Sequence, residues 1–285
     1  MNGGVSHMES FDPKPMLTQY AGKTISETPF ASVQDPKKLA IERLVVPDAN
    51  GNQRNTLYPL QVGFKKHGQS GIEISDWFPY VAQHADKLAV VRSLWTTDSN
   101  HGAQTQFHSG RHQNDGDFPN LGAWVHYGLG SLNQNLPGYV LLYKVGGLGG
   151  SANWSNAFLP AAFQGTQFRH EGSPVLNLQP PASLAEVQRS TLDFAQTLNR
   201  KHASLRPGVL DLDGRIASYE LAYRMQSAAL DIGELSLETQ ATQESYGLLD
   251  TNKDKALFGR MCLLSRRLVE KGVRFVQLYN AVDKL

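Results

Sequence analysis

The sequence predicts an α/β fold with a mainly parallel sheet, and three observations support this prediction. Two short apolar runs, residues 88–94 and 139–145, have the length and the valine or leucine content of buried strands. A third run, residues 273–279, directly follows a long helical pattern that ends at Gly272. Helices that lead into strands through short loops are typical of parallel sheets covered by helices.

The first 70 residues are rich in proline, glycine and polar residues, which predicts loops with short ordered pieces. A helix is predicted over residues 75–86, because Ser75 and Asp76 are residue types that cap helix N-termini. We expect this helix to bury four apolar side chains, which are Trp77, Phe78, Tyr80 and Val81.

Further helices are predicted in the second half of the chain. Residues 121–129 form the first, and a capping box at residues 183–186 (Ser-Leu-Ala-Glu) opens the second. Residues 214–229 and 254–271 form two more, with apolar residues at helical spacing. Residues 146–182 contain many glycines, prolines and amides, so we predict a long irregular insert there, of the kind that often serves function.

Composition excludes several classes of protein. The 285 residues carry 27 basic and 26 acidic side chains, and this balance argues against nucleic-acid binding. The sequence contains no run of about 18 apolar residues, which a transmembrane helix would need. The opening residues 1–4 (Met-Asn-Gly-Gly) predict a turn and not a signal peptide. The lone cysteine, Cys262, excludes a disulfide framework and a cysteine-rich zinc site, and we interpret it as a core residue.

The first candidate site is the segment 2–15, where paired glycines precede a cluster of reactive side chains. Ser6, His7, Glu9 and Asp12 supply hydroxyl, imidazole and carboxylate groups within seven positions. Such groups can provide a nucleophile, a base or metal ligands. The alternative is a surface turn that ends at a proline.

The second candidate site follows the predicted strand 88–94, where α/β proteins bind their ligands. It contains Asp98, Asn100 and His101, with His108 and His112 at spacings of seven and four. These spacings place imidazoles on one helix face, where they suit a divalent metal ion. The alternative is a set of solvated histidines in a polar loop.

A third candidate is the glycine-rich turn at residues 146–150. Such a turn after a strand can hold phosphate, but no Lys-Ser/Thr pair follows it, so a hinge is the preferred interpretation.

A set of longer motifs is spread over nearly the whole chain. They are residues 1–15, 68–71 (Gly-Gln-Ser-Gly), 100–101 (Asn-His), 119–124 (Pro-Asn-Leu-Gly-Ala-Trp), 127–130 (Tyr-Gly-Leu-Gly), 133–138 (Asn-Gln-Asn-Leu-Pro-Gly), 215–222 (Arg-Ile-Ala-Ser-Tyr-Glu-Leu-Ala) and 267–277 (Arg-Leu-Val-Glu-Lys-Gly-Val-Arg-Phe-Val-Gln). Together these motifs resemble the bacterial domain of unknown function 1501 family, whose members are sulfatase-like proteins of the alkaline phosphatase superfamily.

The resemblance implies a single alkaline-phosphatase-like domain over residues 1–285, with a three-layer α/β/α arrangement. It implies a bound divalent metal, Zn, Ca or Mg, and a small-molecule or glycan ester as substrate. The catalytic candidates are Ser6, Asn100 and His101, and the candidate metal ligands are His7, Asp12, Asp98 and His101. In addition, residues 109–111 (Ser-Gly-Arg) resemble the end of a sulfatase nucleophile helix.

Members of this family usually begin with an export signal and continue into further Asp/His motifs. The resemblance therefore implies a periplasmic or extracellular protein, and a chain truncated at both ends that is inactive by itself. A different hypothesis is a non-catalytic binding or structural protein of the cell surface on the same fold.

Overall fold

The computed structural model describes residues 6–34, 56–94, 103–143, 150–176 and 178–280. The chain divides into two compact units, Met1–Ala103 and Gln104–Leu285. Each unit has a hydrophobic core of its own.

The first unit is built around a two-stranded antiparallel hairpin, β1 (Phe64–His67) and β2 (Ile72–Ser75). The Asp86 carboxylate accepts the backbone N–H groups of Gln69 and Ser70 at 3.0 and 2.8 Å, which fixes the hairpin turn. Two short α-helices accompany the hairpin, α1 (Pro15–Gln19) and α2 (Pro79–Ala82). Turns of 3₁₀-helix occupy His7–Glu9, Ile25–Glu27, Ala31–Gln34 and Ala85–Lys87.

The helix predicted over residues 75–86 is wrong in its start and in the face that it buries. Ser75 ends β2, and the helix begins only at Pro79, whose fixed φ suits the first helical position. Trp77 and Tyr80 are 56% and 79% exposed, while the small side chain of Ala82 is buried. Proline thus sets the helix start. Of the four side chains expected to be buried, Phe78 does pack against the core of this unit, whereas Trp77, Tyr80 and Val81 are exposed.

The strand predicted over residues 88–94 does not form. No described strand pairs with this run, since the sheets of the described residues consist of β1 with β2 and of the three strands in the second unit. A strand needs a hydrogen-bonding neighbour as well as an apolar sequence. Val91 and Leu94 are accordingly exposed.

The second unit contains a three-stranded sheet in which all strand pairs are parallel. Its strands are β3 (Tyr139–Tyr143), β4 (Thr166–Phe168) and β5 (Phe275–Tyr279), in the order β4-β3-β5. The predictions of β3, of β5 and of a parallel sheet are therefore confirmed. β4 lies inside the predicted insert 146–182 and was missed, because three residues carry no periodic signal.

Seven helices are described in this part of the chain. They are α3 (Ala103–Ser109), α4 (Leu121–Leu129), α5 (Gln188–Ser204), α6 (Leu210–Ala228), α7 (Leu230–Gly233), α8 (Gln240–Ser245) and α9 (Lys253–Glu270). Turns of 3₁₀-helix occupy Gln113–Asp115, Gly150–Trp154, Ala161–Phe163, Ala182–Leu184 and Leu235–Leu237. The predictions of α4 and α9 are confirmed. The predicted capping box at Ser183 does not form, because Ser183 lies inside a 3₁₀ turn and α5 begins at Gln188.

The two faces of the sheet differ, since side chains alternate along each strand. Val140 and Leu142 pack into the main core together with Leu263 and Leu268 of α9. The opposite face carries tyrosine and glutamine side chains of β3 and β5, and α4 packs there through Gly122. No described helix is both long and apolar enough to cross a membrane.

Candidate functional site

The loop 6–12 of the first unit gathers three of the predicted site residues into one compact turn. The Asp12 backbone N–H donates to the His7 carbonyl at 3.0 Å, and Ser10 Oγ donates to the Ser6 carbonyl at 2.9 Å. The Ser75 backbone N–H donates to the Ser10 carbonyl at 2.9 Å, which ties the loop to β2. Ser6 and His7 are exposed, whereas Asp12 is only 6% exposed.

Two cations contact the buried Asp12 carboxylate. Lys14 Nζ lies 2.7 Å from Asp12 Oδ2, and Arg92 Nε lies 3.7 Å from Asp12 Oδ1. Arg92 precedes Asp98 by six positions in the sequence, and its ion pair holds this end of the run 88–94 against the loop 6–12. A metal ion that binds Asp12 would share the carboxylate with these cations or displace one of them.

The remaining predicted site residues, Asp98, Asn100 and His101, lie outside the described residues, as does most of the glycine-rich turn 146–150. The described part of the chain contains no group of three or more His, Cys, Asp and Glu side chains positioned to hold a metal ion.

A second polar site lies at the carboxyl ends of β3 and β5, where α/β proteins bind ligands. The Tyr279 hydroxyl is 3.3 Å from His108 Nε2, and the Gln277 amide contacts both of these side chains. The rings of Tyr143 and Trp154 pack around Tyr279, with centroids 6.4 and 6.1 Å from it. His108 from α3 is thereby fixed at the end of the sheet.

This site continues into a buried hydrogen-bond chain that starts at the N-terminus of α4. Asn120 accepts the Ala123 backbone N–H at 2.9 Å, and its amide donates to the Tyr139 hydroxyl at 2.6 Å and to the Asn153 carbonyl. The Tyr139 hydroxyl in turn donates to Gln277. The chain therefore links the cap of α4 to the Gln277 side chain that contacts His108.

Burial favours the uncharged forms of the ionisable groups in this network. Loss of hydration raises the pKa of Tyr139 and Tyr279, and burial lowers the pKa of His108. A neutral imidazole has one N–H donor and one free lone pair, so His108 can accept a proton or coordinate a cation. The network thus provides a preorganised polar site without formal charge.

The sequence indicated His108 as a weaker candidate but missed Asn120, Tyr139 and Gln277. Asn120 carries a signal that was available, since it directly precedes the predicted helix 121–129 and asparagine is a preferred N-cap. The two side chains on the strands follow only from the pairing of β3 with β5, which no local pattern reveals.

Ser109, the first residue of the Ser-Gly-Arg segment that resembles the end of a sulfatase nucleophile helix, has a structural role in the described conformation. Its hydroxyl donates to the Thr105 carbonyl at 2.8 Å and accepts the Arg111 backbone N–H at 3.1 Å. These contacts close the C-terminus of α3. A polar cavity of about 140 Å³ lies beside this hydroxyl and is lined also by Asp117 and Ser155.

Comparison with known proteins identifies the family. The family described as "protein of unknown function (DUF1501)" matches residues 1–282, and the chain therefore belongs to this family. No curated protein and no solved structure matches the chain significantly.

Proposed function

We propose that the protein is a sulfatase- or phosphatase-like hydrolase that uses a divalent metal ion to cleave sulfate or phosphate esters. In this proposal the fold is the three-layer arrangement of the alkaline phosphatase superfamily. His7, Asp12, Asp98 and His101 supply metal ligands, and Ser6 and Asn100 complete the reacting groups.

One observation carries the proposal, namely the ion pair between Asp12 and Arg92. It joins the loop 6–12 to the segment that leads to Asp98, as a shared site requires. The pair also combines the group types that this chemistry needs. A carboxylate can bind a divalent metal ion, while Arg92 and Lys14 can bind the oxygens of a sulfate or phosphate group.

The chemistry follows from these groups. His7, Asp12, Asp98 and His101 would hold the divalent cation, which would polarise the ester oxygens for attack by a hydroxyl group. The side chains of this chain hold the ester in place, since the cations beside Asp12 attract its negative oxygens.

The proposal is tested with the protein produced from its complete gene, using 4-nitrophenyl sulfate and 4-nitrophenyl phosphate as substrates. We expect hydrolysis of at least one ester, loss of hydrolysis after chelation, and recovery when Zn²⁺, Ca²⁺ or Mg²⁺ is added back. Hydrolysis that survives complete removal of the metal would contradict the metal-dependent mechanism, and no hydrolysis of either ester would contradict the proposed activity.

A second candidate function is non-catalytic binding of a cell-surface glycan. The exposed aromatic side chains of Trp77 and Tyr80 favour it, because aromatic rings on a surface offer flat apolar contacts to sugar rings. Binding of polysaccharide without hydrolysis of either ester would support this alternative. We further propose a periplasmic or extracellular location, which rests on the export signals typical of the family that the sequence resembles.

A further inference from the structure

A pocket of about 700 Å³ in the second unit has a positively charged lining that the proposed hydrolysis does not use. It lies between α6, the start of β3 and the Ala161–Phe163 turn. The positive charge comes from Arg215 and Arg224 of α6, and the ring of His126 of α4 also lines the pocket. Among the described residues that line it there is no aspartate or glutamate.

Arg224 has no charge partner in the part of the chain that the structure describes. Its Nε is shielded from water and makes no hydrogen bond, and no described carboxylate lies within ion-pair distance. The nearest acidic residue on the same helix face, Glu220, instead pairs with Arg189 at 3.1 Å. Arg224 therefore brings a positive charge without a neutralising carboxylate to the pocket lining, and guanidinium groups bind sulfate and phosphate oxygens well.

His126 forms a fixed wall of the same pocket. Its ring packs edge-on against Phe163, with centroids 5.1 Å apart, and its Nδ1 has no hydrogen-bond partner. Only glycine fits at position 138, because a Cβ there would lie 2.3 Å from His126 Nε2. The close approach of the ring to the backbone therefore depends on Gly138.

The rest of the lining offers uncharged hydrogen-bonding groups. The side-chain amides of Gln134 and Gln164 and the hydroxyl of Thr166 line the pocket. The pocket is far larger than one inorganic anion and lies within the range of volumes that hold small organic ligands. Guanidinium groups suit an anionic substituent, and amides and hydroxyls suit the hydroxyl groups of a sugar.

We propose that this pocket binds a sugar that carries a sulfate or phosphate group, with Arg224 and Arg215 contacting the anionic substituent. The binding is independent of the proposed metal chemistry. An ester hydrolase and a non-catalytic surface protein could both use such a site to hold an anionic glycan.

Isothermal titration calorimetry with four probes tests the proposal: galactose 6-sulfate, galactose 6-phosphate, neutral galactose and inorganic sulfate. We expect at least one charged sugar to bind more tightly than both galactose and inorganic sulfate. Preference for one charged sugar identifies the substituent. Equal binding of galactose and the charged sugars, binding of inorganic sulfate alone, or no binding would overturn the proposal.

Substitutions locate the binding. Arg224→Gln is expected to weaken binding of the charged sugar at least tenfold, while Arg206→Gln, at an exposed position outside the pocket, leaves it unchanged. Ala217→Glu adds a carboxylate to the lining at an exposed helical position, and we expect it to weaken binding even if Arg224→Gln does not fold. Wild-type affinity in the folded variants would place the site elsewhere.

Discussion

At the scale of single residues, two asparagines cap helices in very different surroundings. Asn120 caps α4, is almost completely buried, and also donates to the Tyr139 hydroxyl. Asn252 caps α9 by accepting the N–H groups of Asp254 and Lys255, and it is exposed. Asn252 therefore stabilises only the N-terminus of α9. Asn120 stabilises the N-terminus of α4 and also a buried hydrogen-bond network.

This difference gives a prediction about stability. Asn120→Ala removes the cap and also the amide that donates to the Tyr139 hydroxyl and the Asn153 carbonyl. We expect this to lower the free energy of unfolding by about 2–4 kcal/mol. Asn252→Ala removes only an exposed cap and is expected to cost about 1 kcal/mol. Urea denaturation of both variants measures the two values. Equal losses would show that the network at Asn120 adds nothing to the cap.

The sequence revealed part of the candidate site at this scale. Ser6, His7 and Asp12 were indicated because they lie close together along the chain, and the structure places them in one turn. The contact between Asp12 and Arg92 was not foreseen, since these residues lie 80 positions apart in the sequence. Contacts of this kind depend on tertiary structure and leave no local pattern.

At the scale of elements, α4 approaches the sheet through a glycine. A Cβ at position 122 would lie 2.6 Å from Tyr139 Cζ and 2.8 Å from Phe275 Cδ1. Gly128 occupies the same helix, but a Cβ there would meet no atom within 4 Å. Substitution of each glycine by alanine therefore measures two different effects. Position 128 reports the intrinsic helix preference of alanine, and position 122 reports in addition the packing of α4 on β3 and β5.

Alanine is expected to have opposite effects at these two positions. Gly128→Ala should stabilise the protein by up to about 1 kcal/mol, because alanine favours the helix and no neighbour is disturbed. Gly122→Ala should destabilise it by about 1–3 kcal/mol, because the methyl group overpacks the contact with the sheet. Thermal or urea unfolding compares the two. Stabilisation by both substitutions would contradict the close approach of α4 to the strands.

The elements that the sequence predicted correctly have strong local signals. α4 and α9 have capping asparagines and apolar residues at helical spacing, and β3 and β5 are compact apolar runs. The run 88–94 has a similar composition, yet it forms no strand. Whether this run forms a strand depends on a neighbouring strand as well as on its own residues. The short strand β4 was missed for a related reason, since it is defined by its pairing with β3.

At the scale of the whole molecule, the chain combines a small hairpin unit with a larger α/β unit that contains the parallel sheet. Membership in the family over residues 1–282 agrees with the sequence motifs, which extend over both units. The α/β class and the parallel sheet were predictable from the order of helices and strands. The division into two units was not, because it depends on which core each segment joins.

The central claim of the proposed function is a divalent metal ion held by side chains of the two predicted clusters, including Asp12 and His101. Elemental analysis of the protein produced from its complete gene tests this claim most directly, together with His101→Ala and the exposed control His84→Ala. We predict close to one bound divalent metal ion per protein molecule in the wild-type protein and in the control. His101→Ala should have a metal content several times lower. A wild-type protein without bound metal, or an unchanged metal content in His101→Ala, would contradict the account.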